Sequence, residues 1–302
     1  MRLTKRARRE AIEAYVYLIP WILGMVFLTA GPLIAGLALG FTEWRAAVDQ
    51  PPVFVGLKNF AYMFSEDPVF FQSLKVTFIF GAAAVLLINV AALAVAMLMN
   101  QDLPGMAFFR TAYYAPAVVS AVAVAITWSF VANRDFGVIN WLLSLVGITG
   151  PNWLGSTAWA LPSLVLMALL GTGSTMVIYL AGLQGIPREL HEAAMVDGAG
   201  WISRFRHVSL PMLSPTIFFC LVTGIIWALQ VFAQVYVLTK GGPDYATYVF
   251  AYHIYATAFE QGRFGYASAL GTVMFAIILA LTSITFRTSG RWVYYSGGTE
   301  AK

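Results

Sequence analysis

The chain has 302 residues, of which 60% are hydrophobic and only 11% are charged, and its formal net charge is +4. Soluble domains carry about 25% charged residues, so this composition excludes an ordinary soluble protein and requires lipid as part of the solvent. The single cysteine, Cys220, lies in an apolar run, which excludes a disulfide framework and a thiolate metal site.

Long runs without any charged residue dominate the chain. They cover residues 14–41, 76–101, 111–133, 136–187, 208–239 and 264–286. Each is at least as long as the roughly 20 residues that a helix needs to cross a bilayer. Only helices satisfy their own backbone polar groups within such a segment. The sequence therefore predicts an all-α polytopic membrane protein with six transmembrane helices.

The longest run is divided because Gly147, Gly150-Pro151 and Gly155 interrupt it. There we expect an external loop with a short interfacial helix at residues 138–145, followed by a membrane span. In chain order the predicted spans cover about residues 15–40, 74–99, 109–131, 158–183, 214–238 and a last stretch that ends near 286. Two longer external loops, at 41–73 and 239–266, separate them. Pro20 and Gly31-Pro32 are expected to kink the first span.

Basic residues indicate which side of the membrane each loop faces. Six spans put both termini on one side, so we divide the chain into a basic N-terminal segment (1–14), a membrane domain (15–287) and a C-terminal tail (288–302). The residues assigned to the cytoplasm are Arg2, Lys5, Arg6, Arg8, Arg9, Arg110, Arg188, Arg204, Arg206, Arg287, Arg291 and Lys302. Those assigned outside are Arg45, Lys58, Lys75, Arg134, Lys240 and Arg263.

This two-to-one excess follows the positive-inside rule. Both termini are therefore predicted to be cytoplasmic, in a chain that crosses the membrane several times. The excess of basic over acidic residues is explained by this orientation and does not indicate a nucleic-acid partner.

A short polar segment, residues 184–213, separates the fourth and fifth spans and predicts a cytoplasmic helix–turn–helix. Pro187 suits the first turn of a helix that continues to Asp197, and Gly198 and Gly200 end it because glycine accepts a positive φ. A second helix over 201–207, capped by Asp197, then follows. DNA-binding proteins use a helix–turn–helix too, but membrane spans on both sides argue against that role. The simpler alternative is a solvated loop between membrane helices.

The residues of this segment also carry a family resemblance. Its defining positions are Glu192, Ala193, Ala194, Asp197, Gly198, Ala199, Phe205, Leu210 and Pro211. In this order they resemble the coupling loop of the permease subunits of ABC importers. The resemblance covers nearly the whole chain and indicates the first of the two permeases in maltose-type carbohydrate importers. The other segments that carry it are residues 17–20, 31–33, 41–44, 55–60, 109–116, 137–143, 238–243 and 255–259.

The resemblance implies half of a heterodimeric translocation pore for a sugar or related polyol, in the inner or plasma membrane of a prokaryote. The implied partners are a second permease, two cytoplasmic ATPase subunits, an extracytoplasmic solute-binding protein and membrane lipid. No cofactor is expected on this chain, since ATP would bind to the partner subunit. The run Gly171-Thr172-Gly173-Ser174-Thr175 superficially resembles a phosphate-binding loop, but no lysine follows it. Small residues in a predicted span are more typical of a helix–helix contact.

A stripe of polar side chains marks the fifth span. Thr216, Cys220, Thr223, Trp227, Gln230 and Gln234 recur at steps of three and four, which predicts one helix face. Amides pair with sugar hydroxyls, and an indole ring packs on the apolar face of a pyranose. Asn89 in the second span is a further candidate. We take Asn89, Thr223, Trp227, Gln230 and Gln234 as substrate-path candidates, with hydrogen bonding to neighbouring helices as the alternative.

Two other function classes fit the sequence less well. A secondary transporter usually carries acidic residues within its spans, and the predicted spans contain none. A membrane-embedded enzyme needs acids, histidines or metal ligands gathered at one membrane face, whereas His191, His207 and His253 are scattered. No catalytic or metal-binding residue is therefore predicted, and ATP hydrolysis is expected on a separate subunit.

The predicted topology can be tested with single cysteines at positions 49, 192, 244 and 302 in a Cys220→Ser background. In intact cells an impermeant maleimide is expected to label positions 49 and 244, while 192 and 302 react only after permeabilisation. External labelling at position 192 would contradict the whole layout.

Overall fold

Helices form most of the part of the chain that the structure describes. The computed structural model describes residues 5–45 and 51–294, with side chains from residue 13 onward. Within these residues two short strands, Thr42–Glu43 (β1) and Val53–Phe54 (β2), pair antiparallel, and the other regular elements are helical. The all-α prediction is thereby confirmed. Asp49, Lys302 and most of the predicted C-terminal tail lie outside the described residues, as do Arg2 and the other basic side chains before residue 13.

The α-helices are numbered in chain order. Their bounds are Lys5–Gly24 (α1), Gly31–Leu39 (α2), Lys58–Ser65 (α3), Phe70–Met99 (α4), Met106–Val118 (α5), Ala121–Val131 (α6), Val138–Leu145 (α7), Ala160–Ala168 (α8), Thr172–Gln184 (α9), Arg188–Val196 (α10), Trp201–Arg204 (α11), Leu210–Met212 (α12), Ser214–Leu229 (α13), Ala233–Leu238 (α14), Phe250–Tyr255 (α15) and Phe264–Ser289 (α16). Turns of π-helix cover Met25–Ala30, Phe205–Ser209 and Ala256–Glu260, and a 3₁₀ turn covers Leu169–Gly171.

Five stretches of helix in the described residues are long and apolar enough to cross a membrane. They are Glu13–Leu39, Phe70–Met99, Ala160–Gln184, Ser214–Leu238 and Phe264–Ser289. These agree with five of the six predicted spans. Helices α5 and α6 are long and apolar enough to cross a membrane only as a pair, and that pair is bent by 99°. The predicted third span over 109–131 is therefore present as this bent helix pair and not as one straight helix.

The bend between α5 and α6 has a local cause. Val119 and Ser120 are both extended, with ψ values of 141° and 144°. The Ser120 hydroxyl accepts a hydrogen bond from the Ala123 N–H at 3.3 Å, which caps the start of α6. Pro116 lies near the end of α5 and lacks an N–H to continue the helix pattern. Apolarity alone hides such a break, whereas the Pro–Ser spacing is visible in the sequence.

The segment 239–266, predicted as an external loop, contains a buried helix. Phe250, Tyr252 and His253 of α15 are buried. The Phe250 N–H donates to the Thr77 hydroxyl on α4 at 2.7 Å, and the Phe250 ring lies 5.7 Å from that of Phe70. The aromatic content of this segment supplies the apolar surface that folds it against α4.

Two smaller predictions can also be compared with the structure. Helix α7 has the bounds predicted for the interfacial helix. In the first span the chain is irregular before Gly31-Pro32, where the Gly31 N–H bonds to the Val26 carbonyl in a π-helical turn. Pro20 instead lies within the continuous helix α1.

Internal contacts divide the chain into two units, each described by itself. The first comprises Met1–Asp67 with Ile254–Phe275, and the second comprises Pro68–His253 with Ala276–Lys302. In the first unit the Asn59 side-chain amide donates to the carbonyls of Gly40 and Thr42, each at 2.9 Å. These bonds hold α3 against the segment that leads into β1.

The second unit has its core where α4 packs on α9. Ala92 and Ala96 of α4 face Met176 and Leu180 of α9, and Cys220 of α13 is buried in the same cluster. Alanine lets two helices approach closely, which is how helices pack in a membrane without a hydrophobic driving force between them.

Helices α5 and α9 approach each other closely at Gly173. A Cβ atom there would lie 2.8 Å from the Tyr113 carbonyl oxygen and 3.0 Å from the Tyr114 Cα. The Tyr113 hydroxyl also bonds the Thr172 hydroxyl at 2.8 Å. The run 171–175 therefore includes a helix–helix contact. Gly171, two residues away, has no atom within 4 Å of such a Cβ.

These two glycines provide a matched test of the packing. Gly173→Ala is expected to destabilise the second unit by about 1–3 kcal/mol, because the methyl group is forced against backbone atoms of α5. Gly171→Ala is expected to change stability by less than about 0.5 kcal/mol. Thermal unfolding of the purified variants in one detergent measures the difference, and equal melting temperatures would contradict the proposed close approach.

Candidate functional site

The predicted coupling loop, residues 184–213, contains two short helices with a sharp reversal between them. At the end of α10 the Gly198 N–H donates to the Met195 carbonyl at 3.0 Å, and the Ala199 N–H donates to the Ala194 carbonyl at 2.8 Å. This pair of bonds is the Schellman motif. Gly198 has a φ of +79°, the left-handed conformation that the motif requires and that glycine adopts without steric cost.

Two local details of the loop differ from the prediction. Pro187 is extended, with ψ of 133°, and precedes the first helical residue, Arg188. Asp197 does not cap the second helix, because Gly200 occupies that position without a side-chain hydrogen bond. The Asp197 N–H instead donates to the Ala193 carbonyl at 3.0 Å. The chain reverses at Gly198, so Asp197 stays with the first helix.

The loop presents apolar side chains together with a carboxylate. Val196 is 88% exposed, Ile202 72% and Trp201 64%, and the Trp201 ring stacks on Phe205 with centroids 6.2 Å apart. Glu192 is exposed and forms no ion pair within the described residues. Exposed apolar patches with a polar edge mark contacts with other proteins or lipid. Sequence analysis missed Trp201 and Ile202, although two large apolar residues directly after a glycine turn are a visible signal.

The other predicted residues of the loop differ in their exposure to solvent. Ala193, Asp197, Leu210 and Pro211 are exposed, whereas Ala194, Ala199 and Phe205 are half-buried. Arg188 at the start of α10 lies 4.0 Å from Asp102, and both side chains are almost fully exposed. Such a pair contributes little to stability.

A cavity of about 410 Å³, hereafter the central cavity, lies among α4, α5, α9, α13 and α14 in the second unit. Four of the five substrate-path candidates line it, namely Asn89, Thr223, Trp227 and Gln234. Gln230 does not line it. Every side chain that lines the cavity is uncharged.

The predicted single stripe on the fifth span is interrupted. Helix α13 ends at Leu229 and α14 begins at Ala233, so the 3.6-residue period does not continue from Trp227 to Gln234. Gln230 stands at the end of α13 with an exposed side chain. Gln234, on α14 after the break, lines the cavity.

Two of the cavity's polar side chains are already bonded to the protein. The Asn89 amide donates to the Val85 carbonyl at 2.7 Å and accepts from the Tyr179 hydroxyl at 2.7 Å. The Thr223 hydroxyl donates to the Phe219 carbonyl at 2.8 Å. Asn89 therefore links α4 to α9, whereas the Thr223 bond stays within α13.

The other polar side chains of the cavity have hydrogen-bonding groups that are not used within the described residues. Gln234 makes no side-chain hydrogen bond within the described residues. Trp227 is 41% exposed, and its ring lies 6.3 Å from Phe80 at an angle of 43°. Ser174 and Thr175 add two hydroxyl groups to the wall. Sequence analysis assigned these two residues only to a helix contact, but the run turns Thr172 and Gly173 toward α5 and Ser174 and Thr175 toward the cavity.

Comparison with known proteins identifies relatives along the whole chain. The family model described as binding-protein-dependent transport system inner membrane component matches residues 92–294. The chain is 39% identical to a probable ABC transporter permease protein, YesP, of Bacillus subtilis (strain 168), covering 99% of this chain and 97% of YesP. It is 32% identical to the trehalose/maltose transport system permease protein MalF of Thermococcus litoralis, covering 96% and 97%.

Among solved structures, the fold is similar to a chain of a bacterial ABC transporter involved in the import of the acidic polysaccharide alginate. The TM-score is 0.83 at 24% identity, and the match covers 95% of this chain and 98% of that chain.

The geometry of the loop predicts the effect of a bulky residue at the reversal. Gly198→Val places a β-branched residue at a φ of +79°, which costs roughly 1–2 kcal/mol or more. We expect this variant to reach the membrane but to retain less of the ATPase subunit during purification.

Gly200→Val is the matched control. Gly200 has φ of −68° and ψ of 173°, an extended conformation that valine adopts readily. At both glycines the place that a Cβ atom would take has no other atom within 4 Å, so neither Cβ clashes and only the variant at 198 carries backbone strain. Equal ATPase recovery from both would show that the reversal does not contribute to subunit binding.

Proposed function

The chain belongs to the family of binding-protein-dependent transport system inner membrane components, and we propose that it forms one half of the pore through which an ABC importer moves a neutral sugar or polyol. Membership confirms the resemblance found in the sequence and makes the chain a multi-pass permease subunit of an ABC importer. ATP hydrolysis takes place on a separate partner subunit. The comparisons lend no support to a secondary transporter or a membrane enzyme.

The observation that carries the proposal for the solute is the uncharged lining of the central cavity. An amide, an indole and hydroxyl groups face a volume of about 410 Å³, within the range of about 300–1,000 Å³ typical of small-molecule sites. Neutral hydrogen-bonding groups and an aromatic face suit a hydroxyl-rich solute without charge. The trehalose and maltose named for one relative belong to the same chemical class.

The coupling loop supports binding to an ATPase. Val196, Trp201 and Ile202 would bury their exposed side chains in a groove of the partner, and the Glu192 carboxylate would find a cationic group at its edge. Burying apolar area of this kind supplies most of the affinity of a protein contact. The charged pair would set the orientation more than the affinity.

The remaining partners follow from membership of the family and from the resemblance. The permease works with a separate binding protein. We further propose a second, similar permease that completes the pore, two ATPase subunits, and cytoplasmic termini. In the cycle that we propose, ATP closes the ATPase pair and moves the coupling loops. The two permeases then rock between inward-open and outward-open states.

Uptake by the purified complex tests this function. The complex to be reconstituted in vesicles contains the chain, the permease and ATPase subunits that co-purify with it, and their binding protein. The sugars offered to it are those that raise the melting temperature of the binding protein. We expect uptake that requires both ATP and the binding protein. Uptake without ATP would contradict the proposal.

Within this assay the cavity offers a matched pair of glutamines. Gln234→Ala removes a free amide from the cavity wall, and a neutral hydrogen bond contributes about 1 kcal/mol, so we expect roughly a fivefold loss of transport efficiency. Trp227→Ala is expected to lower transport efficiency more than Gln234→Ala does, because it removes an aromatic surface. Gln230→Ala, which removes an exposed amide outside the cavity, is expected to transport normally. Equal effects at 230 and 234 with equal loss of thermal stability would assign both residues to helix packing.

A further inference from the structure

A second, smaller cavity lies in the first unit and has a strongly basic lining. Its volume is about 190 Å³. It lies between β1, helix α3 and the residues at the start of α16. Three cationic side chains, Arg45, Lys58 and Arg263, line it together with one carboxylate, Glu43. We call it the Arg263 cavity.

The Arg263 guanidinium is held between two aromatic rings and has no counterion among the described residues. Its central carbon lies 4.7 Å from the ring centroid of Tyr62 and 4.7 Å from that of Tyr266. One of its N–H groups donates to the Tyr62 hydroxyl at 3.4 Å. No carboxylate of the described chain lies within ion-pair distance of it. A guanidinium has five N–H donors, so most of its donors remain available in a half-buried position.

The walls of the cavity are fixed by bonds that do not involve Arg263. The Tyr266 hydroxyl donates to the Asp67 carboxylate. The backbone N–H of Gly265 donates to the Trp44 carbonyl at 3.1 Å, and a Cβ atom at residue 265 would fall on the Thr42 carbonyl oxygen. The Tyr62 and Tyr266 rings meet edge to face, with centroids 5.0 Å apart. The guanidinium is therefore held in place before any ligand arrives.

The rim of the cavity keeps an excess of positive charge. Glu43 accepts from Lys58 at 3.3 Å and from Arg45 at 3.1 Å. The Lys58 hydrogen bond and charge, with a smaller effect of Arg45, hold the pKa of Glu43 below its usual range. Glu43 is therefore ionised at neutral pH and offsets one of the two positive charges at the rim, which belong to Arg45 and Lys58. The second rim cation and Arg263 remain uncompensated in the lining.

We propose that the Arg263 cavity binds a carboxylate, namely an aspartate or glutamate side chain on the surface of the docked extracytoplasmic binding protein. The inference rests on the proposed function, which provides such a partner and puts residues 41–73 and 263 on the external face. At about 190 Å³ the cavity is smaller than typical small-molecule sites, and it accommodates a side-chain carboxylate better than a sugar. An arginine fork matches the two oxygens of a carboxylate.

The test measures the affinity of the labelled binding protein for the complete complex in lipid nanodiscs, at low and high salt. Arg263→Gln is expected to weaken binding at least tenfold at low salt and to reduce its salt dependence. The affinity of the Arg263→Lys complex is expected to lie between those of the wild type and Arg263→Gln. Lysine keeps the positive charge but lacks the parallel N–H donors of the guanidinium. Arg134→Gln removes an exposed arginine that is predicted to lie outside but does not line this cavity, and it is expected to bind within twofold of the wild type.

Binding by Arg263→Gln within twofold of the wild type would overturn the proposal. If that variant does not assemble, Lys58→Gln decides, because the Lys58 side chain is 70% exposed and its removal leaves the fold intact. A threefold or greater loss of affinity supports the proposal, and unchanged affinity overturns it.

Carbodiimide coupling identifies the partner group directly. In the Arg263→Lys complex, the new amine is expected to form an amide with one acidic residue of the binding protein, found by mass spectrometry. Coupling only to Glu43 or Asp67 would overturn the proposal. Failure of the wild-type complex to bind its binding protein at all would count against the proposed function instead, so the two failures are distinct.

Discussion

The constraint on which the structure depends is that backbone N–H and C=O groups in hydrocarbon must be bonded within the chain. A helix meets this requirement everywhere except where it breaks, so a break is tolerated only beside other protein groups or a wet cavity. In the second unit three breaks border the central cavity. Val119 lies at the bend between α5 and α6, Gly171 at the 3₁₀ turn before α9, and Gln234 just after the gap between α13 and α14. The irregular backbone and the cavity are therefore two aspects of one arrangement.

Charge is distributed in accordance with the same constraint. A charged group in a low-dielectric pore needs a partner or water at a cost of several kcal/mol, and the central cavity has uncharged walls. The charged side chains proposed to contact partners lie in segments outside the spans, namely Glu192 in the coupling loop and the three cations of the Arg263 cavity. In these segments the charges remain accessible to partners. A pore for a neutral solute and charged contact surfaces are thus compatible within one chain.

The coupling loop shows how local motifs can prepare a contact surface. The Schellman bonds after α10 use only residues within six positions of one another. They reverse the chain and leave Val196, Trp201 and Ile202 exposed on either side of the turn. Apolar side chains exposed in this way are costly in water, so the loop is most stable when a partner covers them.

The sequence by itself determined the features that depend on neighbouring residues. Charge-free runs of sufficient length specified the membrane helices, the glycine at 198 specified the reversal, and the turn residues around 137 and 147 specified helix α7. Tertiary structure alone decided which polar groups meet. Asn89 pairs with Tyr179, and Arg263 lies between Tyr62 and Tyr266. It also decided that Gln234, and not Gln230, faces the central cavity. The reason is physical: helix periodicity predicts a face only while the helix continues, and the pairing of segments far apart in sequence depends on packing that no local pattern encodes.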